Sequence, residues 1–148
     1  MREIKDTKRA EVHIGYDGRV HKRYKGPLAQ KRYENEVRIL KFLESVDCTF
    51  VPKLLEAHPE DLYIVTTNCG QIAPKISEEK VSQMFKALEQ YGVRHEDAFA
   101  RNITYDGHKG CFCVIDFEFS TNLETGEGLT IEDAEAYMKE QREAEKDG

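Results

Sequence analysis

The hydrophobic period of this chain switches repeatedly between that of a strand and that of a helix, and the order of the switches restricts the folds open to it. Over residues 11–24, Val12, Ile14 and Tyr16 alternate with polar residues, Asp17-Gly18 supplies a tight turn, and Val20, Lys22 and Tyr24 alternate again. That pattern predicts a β-hairpin. Pro27 then opens a predicted helix reaching about Ser45, at the position where a missing N–H costs nothing. Its apolar stripe is Tyr33, Val37, Leu40 and Leu43, with Ile39 at the margin. Strands are expected near residues 53–57 and 62–67, joined by His58-Pro59-Glu60-Asp61. After the polar, glycine-bearing stretch TTNCGQIAPKI, Ser77 is the expected N-cap of a second helix. Its stripe is Val81, Met84, Phe85, Leu88 and Tyr91, and Gly92 ends it. A hairpin around DGHKG pairs residues 103–105 with 111–115, and Thr130 caps a last helix starting near Ile131. Strands, helix, strands, helix, hairpin, helix is an α+β order. Its two clusters meet near residues 67–76.

The 148 residues suffice for one domain with a real core but not for two ordinary ones. One domain over residues 1–148 is expected, with lobes at 1–67 and 77–148 and a hinge at 68–76. No apolar run approaches the roughly 20 residues of a membrane-spanning helix, and the first residues lack the apolar centre of a secretory signal. A cytoplasmic protein that does not engage membranes is expected. The net charge of −6 divides unevenly, with about +6 over residues 1–32 and about −7 over residues 118–148. An acidic whole argues against non-specific nucleic-acid binding. Cys48, Cys69, Cys111 and Cys113 are too sparse for a disulfide scaffold, and His108 beside the last pair lacks the second ligand pair of a zinc site. Buried thiols are the expectation.

Two charges stand where the pattern asks for apolar side chains. Lys22 shares a strand face with Val20 and Tyr24, and Glu36 lies three, four and seven residues before Ile39, Leu40 and Leu43. Each needs an opposite charge or a wet cleft, and the economical solution is that they meet in the interior. Downstream, the run His95-Glu96-Asp97-Ala98-Phe99-Ala100-Arg101-Asn102 lies between a helix and a hairpin, and Asp116 ends the apolar strand CFCVI.

The run H-x-D-x-x-x-x-N resembles the catalytic loop of protein kinases and their relatives, and IDFE resembles their metal-binding D-F-G segment with its glycine replaced. Lys22 and Glu36 match the phosphate-holding strand lysine and its helix partner. In brevity the chain is similar to small atypical kinases of the RIO and lipopolysaccharide-kinase type. The resemblance implies a two-lobed kinase-like fold with a strongly truncated C-terminal lobe, binding ATP with Mg2+. It assigns Lys22 to the phosphates, Glu36 to aiming it, and Asn102 and Asp116 to the metal. Asp97 would orient the attacking hydroxyl, and backbone at Thr67, Asn68 and Cys69 would meet the adenine edge. His95 is expected to brace the loop, and Arg101 to be a surface cation.

The departures from the pattern matter. No Gly-x-Gly loop precedes the first clear strand, although Lys5, Lys8 and Arg9 stand there; Glu118 replaces the glycine; and only about 29 residues follow Phe119. The expected activity is therefore a minimal phosphotransferase whose substrate is small or whose substrate platform comes from a protein partner. The alternative is a nucleotide-binding pseudokinase that works as a regulatory module.

Overall fold

The computed structural model describes residues 4–6 and 9–147. Strand β1 (Ile4–Asp6) pairs antiparallel with β2 (Ala10–Ile14), and β2 with β3 (Val20–Tyr24), through the turn at Asp17-Gly18. The hairpin at residues 11–24 is as the alternation requires, whereas β1 carries no alternation of its own and was not expected. Lys8 and the side chain of Lys5 lie outside the described residues.

Helix α1 spans Ala29–Ser45. It starts after Pro27 rather than at it, because Leu28 takes a left-handed φ of 58° and turns the chain before the first helical residue. Its buried face comprises Arg32, Tyr33, Asn35, Glu36, Ile39, Leu40 and Leu43. Ile39 is thus central, and Val37 lies at the edge. Strands β4 (Leu54–His58) and β5 (Tyr63–Thr66) complete a five-stranded antiparallel sheet in the order β1-β2-β3-β5-β4. In the middle strand of that sheet, Lys22 faces Val12 on one side and Ile64 on the other.

The stretch expected to be an irregular linker contains a short strand, β6 (Gln71–Ile72), the outer member of a three-stranded sheet with β8 (Ile103–Asp106) and β9 (Cys111–Val114). Between them run helix α2 (Glu78–Gln90) and β7 (Val93–His95). The Ser77 hydroxyl accepts the Lys80 N–H at 3.1 Å, and Gly92, at φ 93°, turns the chain out of the helix. Met84 and Leu88 are buried; Tyr91, expected on the same stripe, is instead a half-exposed cap residue whose ring meets Phe50 edge-on. A single 3-10 turn (Ala100–Asn102) leads into β8. Strand β10 (Ser120–Asn122) pairs with β7, and helix α3 (Ile131–Asp147) closes the described chain. Thr130 and Asp133 cap α3 reciprocally, each backbone N–H donating to the other's side chain at 3.0 and 3.1 Å.

The apolar interior is continuous. Tyr24, Tyr33, Ile39, Leu40, Leu43 and Ile64 from the first half form one cluster with Met84, Leu88, Val93, Ile103, Val114 and Phe117 from the second. Among the described residues the architecture is mixed α+β, with antiparallel sheets and three α-helices. Among the described residues no helix is long and apolar enough to cross a membrane.

Candidate active site

Burying a lysine on a central strand costs several kcal/mol unless the ammonium finds anions. Here it finds three. Lys22 Nζ donates to Glu36 Oε1 at 2.8 Å and to Asp116 Oδ1 at 3.2 Å, and lies 3.4 Å from Glu118 Oε2. Burial alone would lower the lysine's pKa; the carboxylates of Asp116, Glu118 and Glu36 reverse this and hold it above its ordinary value. Glu36 is fixed in turn by the Tyr24 hydroxyl, which donates to Oε1, and by the Phe117 N–H, which donates to Oε2 at 2.7 Å.

Glu118, the residue in place of the expected glycine, is a brace. Its Oε1 accepts from Arg32 Nη1 at 2.7 Å, and both side chains are buried. The other bonds of Arg32 go to backbone: Nε donates to the Pro27 carbonyl at 2.9 Å, and Nη1 and Nη2 donate to those of Arg9 and Lys25 at 3.1 and 2.5 Å. Burial pushes the Glu118 carboxyl up, Lys22 opposes, and Asp116 and Glu36 add to the rise, which reaches about 7. Asp116 moves the other way. Lys22 and a hydrogen bond with Glu118 overcome its burial and keep its carboxyl well below the usual range. Asparagine at position 35 reinforces the same junction, its Nδ2 donating to the Glu118 and Ser120 carbonyls at 2.9 and 3.0 Å.

The loop after β7 is tied to the segment around Asp116 from two sides. His95 Nδ1 accepts the Asp97 N–H at 3.0 Å, which assigns the ring proton to Nε2 for donation to the Ile115 carbonyl, also at 3.0 Å. The Ile115 N–H donates to the Asn102 carbonyl at 2.9 Å. His95 therefore braces the loop, with its ring between those of Phe85 and Phe117. The Asn102 amide nitrogen donates to the Asp97 carbonyl at 2.8 Å and to Asp97 Oδ2 at 3.0 Å. Arg101, expected at the surface, is 55% exposed yet donates to Asp97 Oδ1 at 2.5 Å and lies over the Phe99 ring.

The linker is more committed than the sequence implies. The Thr67 N–H donates to the Lys53 carbonyl at 3.0 Å, the Thr67 carbonyl accepts from Thr66 Oγ1 at 3.1 Å, and the Cys69 carbonyl accepts from Thr104 Oγ1 at 2.7 Å. Thr67 thus has its N–H occupied, and Asn68 and Cys69 hold the backbone groups of this stretch that remain open.

Of the residues singled out in the sequence, the fold brings Lys22, Glu36 and Asp116 into one cluster, with Asp97 and Asn102 on an adjoining loop. Sequence reasoning missed Arg32, Tyr24 and Asn35. Arg32 and Asn35 carry no signal in the local period, because their partners lie more than eighty positions away.

No protein-family model matches the chain, and no curated protein matches it in sequence. Among solved structures, it is similar to the Rio2 kinase of Chaetomium thermophilum in its ADP/Mg2+-phosphoaspartate complex, with a TM-score of 0.59 and 15% identity. The match covers 84% of this chain and 49% of that one, so the chain spans about half the length of the kinase it matches. At this identity the likeness is one of architecture: the chain has a kinase-like fold.

Proposed function

We propose that this chain is an ATP- and Mg2+-dependent phosphotransferase of minimal kinase-like build. The observation that supports it most is the buried Lys22, held by Glu36 at 2.8 Å and reaching Asp116 at 3.2 Å. In this reading residues 1–67 form a nucleotide-binding lobe, 68–76 the hinge and 77–148 a reduced second lobe. Phosphoryl transfer asks a protein chiefly to hold charges in line. Lys22, aimed by Glu36, neutralises phosphate oxygens; open backbone groups at Asn68 and Cys69, with Thr67 at the margin, meet the adenine edge. Asp97 accepts a hydrogen bond from the acceptor hydroxyl and takes its proton late. Arg101, itself 55% exposed, must first release Asp97 Oδ1 and swing into solvent.

The donor set suits a hard cation. Asn102 spends its amide nitrogen on Asp97, which leaves Oδ1 for a ligand, and Asp116 keeps a third of its side chain exposed while Glu36 and Glu118 are committed to cations. Asn102 and Asp116 are the residues that would hold Mg2+. When bound, the ion supplies neutralisation of phosphate charge. The Rio2 neighbour holds ADP and Mg2+ in its complex, which accords with such chemistry on this fold.

One observation favours a second reading, a nucleotide-binding pseudokinase acting as a regulatory module: both Asp97 carboxylate oxygens are already engaged, by Arg101 and Asn102. Incubation with labelled ATP and Mg2+ separates the two. The phosphotransferase reading expects slow ATP hydrolysis or labelling that Asp97→Asn abolishes, and turnover that persists undiminished in Asp116→Ala would sink it. A rise in melting temperature with ATP and no turnover supports the module. No shift at all removes both.

A further inference from the structure

A second cluster of reactive side chains lies against the linker. Cys69 is 7% exposed, Cys113 on β9 is 1% exposed, and Cys111, two residues earlier on the same face, is half-buried. Backbone geometry draws them together. The Cys69 carbonyl is bonded to Thr104, and Thr104 is the register partner of Cys113 across β8 and β9. The next residue, Gly70 at φ 91°, presses so closely on β8 that a Cβ there would fall 2.0 Å from the Tyr105 carbonyl oxygen. Through Thr104 the linker cysteine and Cys113 lie over the same stretch of β8, with Cys111 two residues along β9. The neighbouring Cys113 thiol and the Lys109 ammonium hold the Cys69 thiol below its ordinary range against its burial. Cys113 is pushed up by its hydrogen bond with Cys69 and by burial. Nucleophilicity thus concentrates on the linker cysteine.

We infer that Cys69 and Cys113 form a peroxide-responsive thiol pair that clamps the linker to β9 and so regulates nucleotide binding, an inference that rests on reading the linker as the adenine hinge. The Cys69 thiolate attacks one oxygen of hydrogen peroxide; the O–O bond breaks, and the departing hydroxide takes the thiol proton as water, leaving a sulfenic acid. Cys113 sulfur then attacks Cys69 sulfur. The S–S bond forms, the S–O bond breaks, and the leaving hydroxide takes the Cys113 proton as a second water. Both sulfurs are oxidised by one electron each, and the peroxide is reduced to two waters. Cys111 is the poorer partner for Cys113. Alternate residues of one strand stand about 6.6 Å apart with parallel Cβ directions, at the limit of disulfide geometry.

Closing the bond draws Cys69 toward β9, and with it the open backbone groups that the adenine needs. The test treats the full chain with hydrogen peroxide, blocks remaining thiols, and maps peptides by mass beside an ATP titration. The expected product is a Cys69–Cys113 peptide pair lighter by two hydrogens and reversed by dithiothreitol, with ATP affinity about tenfold weaker. Cys113→Ala should leave a Cys69 sulfenic acid that dimedone traps, with ATP binding in the reduced state kept; Cys111→Ala should still form the bond. Oxidation of Cys111 or Cys48 ahead of Cys69, or a Cys69–Cys113 bond that leaves ATP affinity unchanged, overturns the inference. Failure of the hinge reading shows separately: the reduced wild-type protein then binds no ATP, and the clamp falls as a regulator even if the mapped pair forms.

Discussion

Asp116 holds its backbone at φ 64°, a left-handed conformation that costs a non-glycine residue about 1 to 2 kcal/mol. Glycine would sit there without that cost, but glycine brings no carboxylate. Asp116→Gly and Asp116→Ala both remove the charge, and only the first relaxes the backbone, so the glycine variant should be the more stable by about 1 kcal/mol in denaturant melts. Equal stabilities would show that the conformation is unstrained. Two residues on, Glu118 binds its proton more tightly folded than unfolded, with a carboxyl at about 7 against an ordinary 4.5. Between those values the folded state carries the extra proton, so the stability of the ligand-free protein falls as pH rises through that window. Asp116, shifted downward, loses its contribution only at more acid pH, as does any group whose carboxyl is depressed. The expected result is a melting temperature that declines from about pH 4.5 to 7 in the wild type and more gently in Glu118→Gln. Parallel curves would place the buried proton elsewhere. Lys22 and Glu36 were legible in the sequence because each breaks a strong local period. Arg32 was not, since an arginine among Lys31, Glu34 and Arg38 looks like one more solvated helix charge.

Among the elements, the linker shows how little room the backbone leaves. Gly70→Ala faces both a positive φ and the Tyr105 carbonyl, so β6 cannot remain where it is. The substitution should destabilise by about 2 kcal/mol or more and weaken ATP binding together with stability, as read by thermal shift with and without nucleotide. Gly18, also at positive φ but with open space around it, should tolerate alanine at a smaller cost set by φ alone. Helix boundaries were read well where a side chain makes the cap, as at Ser77 and Thr130. They were read less well at Pro27, where the helix start is set by the left-handed Leu28. Strand β1 escaped notice because its pairing with β2, and not its own three residues, defines it.

For the molecule as a whole, the shared apolar cluster makes the two halves one cooperative unit, whereas α3 stands apart from it. Tyr137 and Met138 on α3 are 37% and 43% exposed, and an open groove of about 600 Å³ separates the helix from α1. Ending the chain after Thr130 should therefore change stability by roughly 1 kcal/mol or less and leave an ATP-induced melting shift in place. Collapse of the truncated protein would instead make α3 part of the folding unit. The α+β order was readable because each element's period is local. The α1 junction was not, because it is written in pairs of residues from opposite ends of the chain. That junction has a dynamic consequence. Arg32, Asn35 and Glu36, within about one turn of α1, grip residues 117, 118 and 120 through buried hydrogen bonds. To swing α1 outward, the protein would have to strip an ion pair and several polar contacts at once, so the helix is latched and is a poor candidate for a moving part. A change in α1 position would therefore have to break this latch first, whereas among the described residues the strap between the sheets carries no such set of buried polar ties to α1.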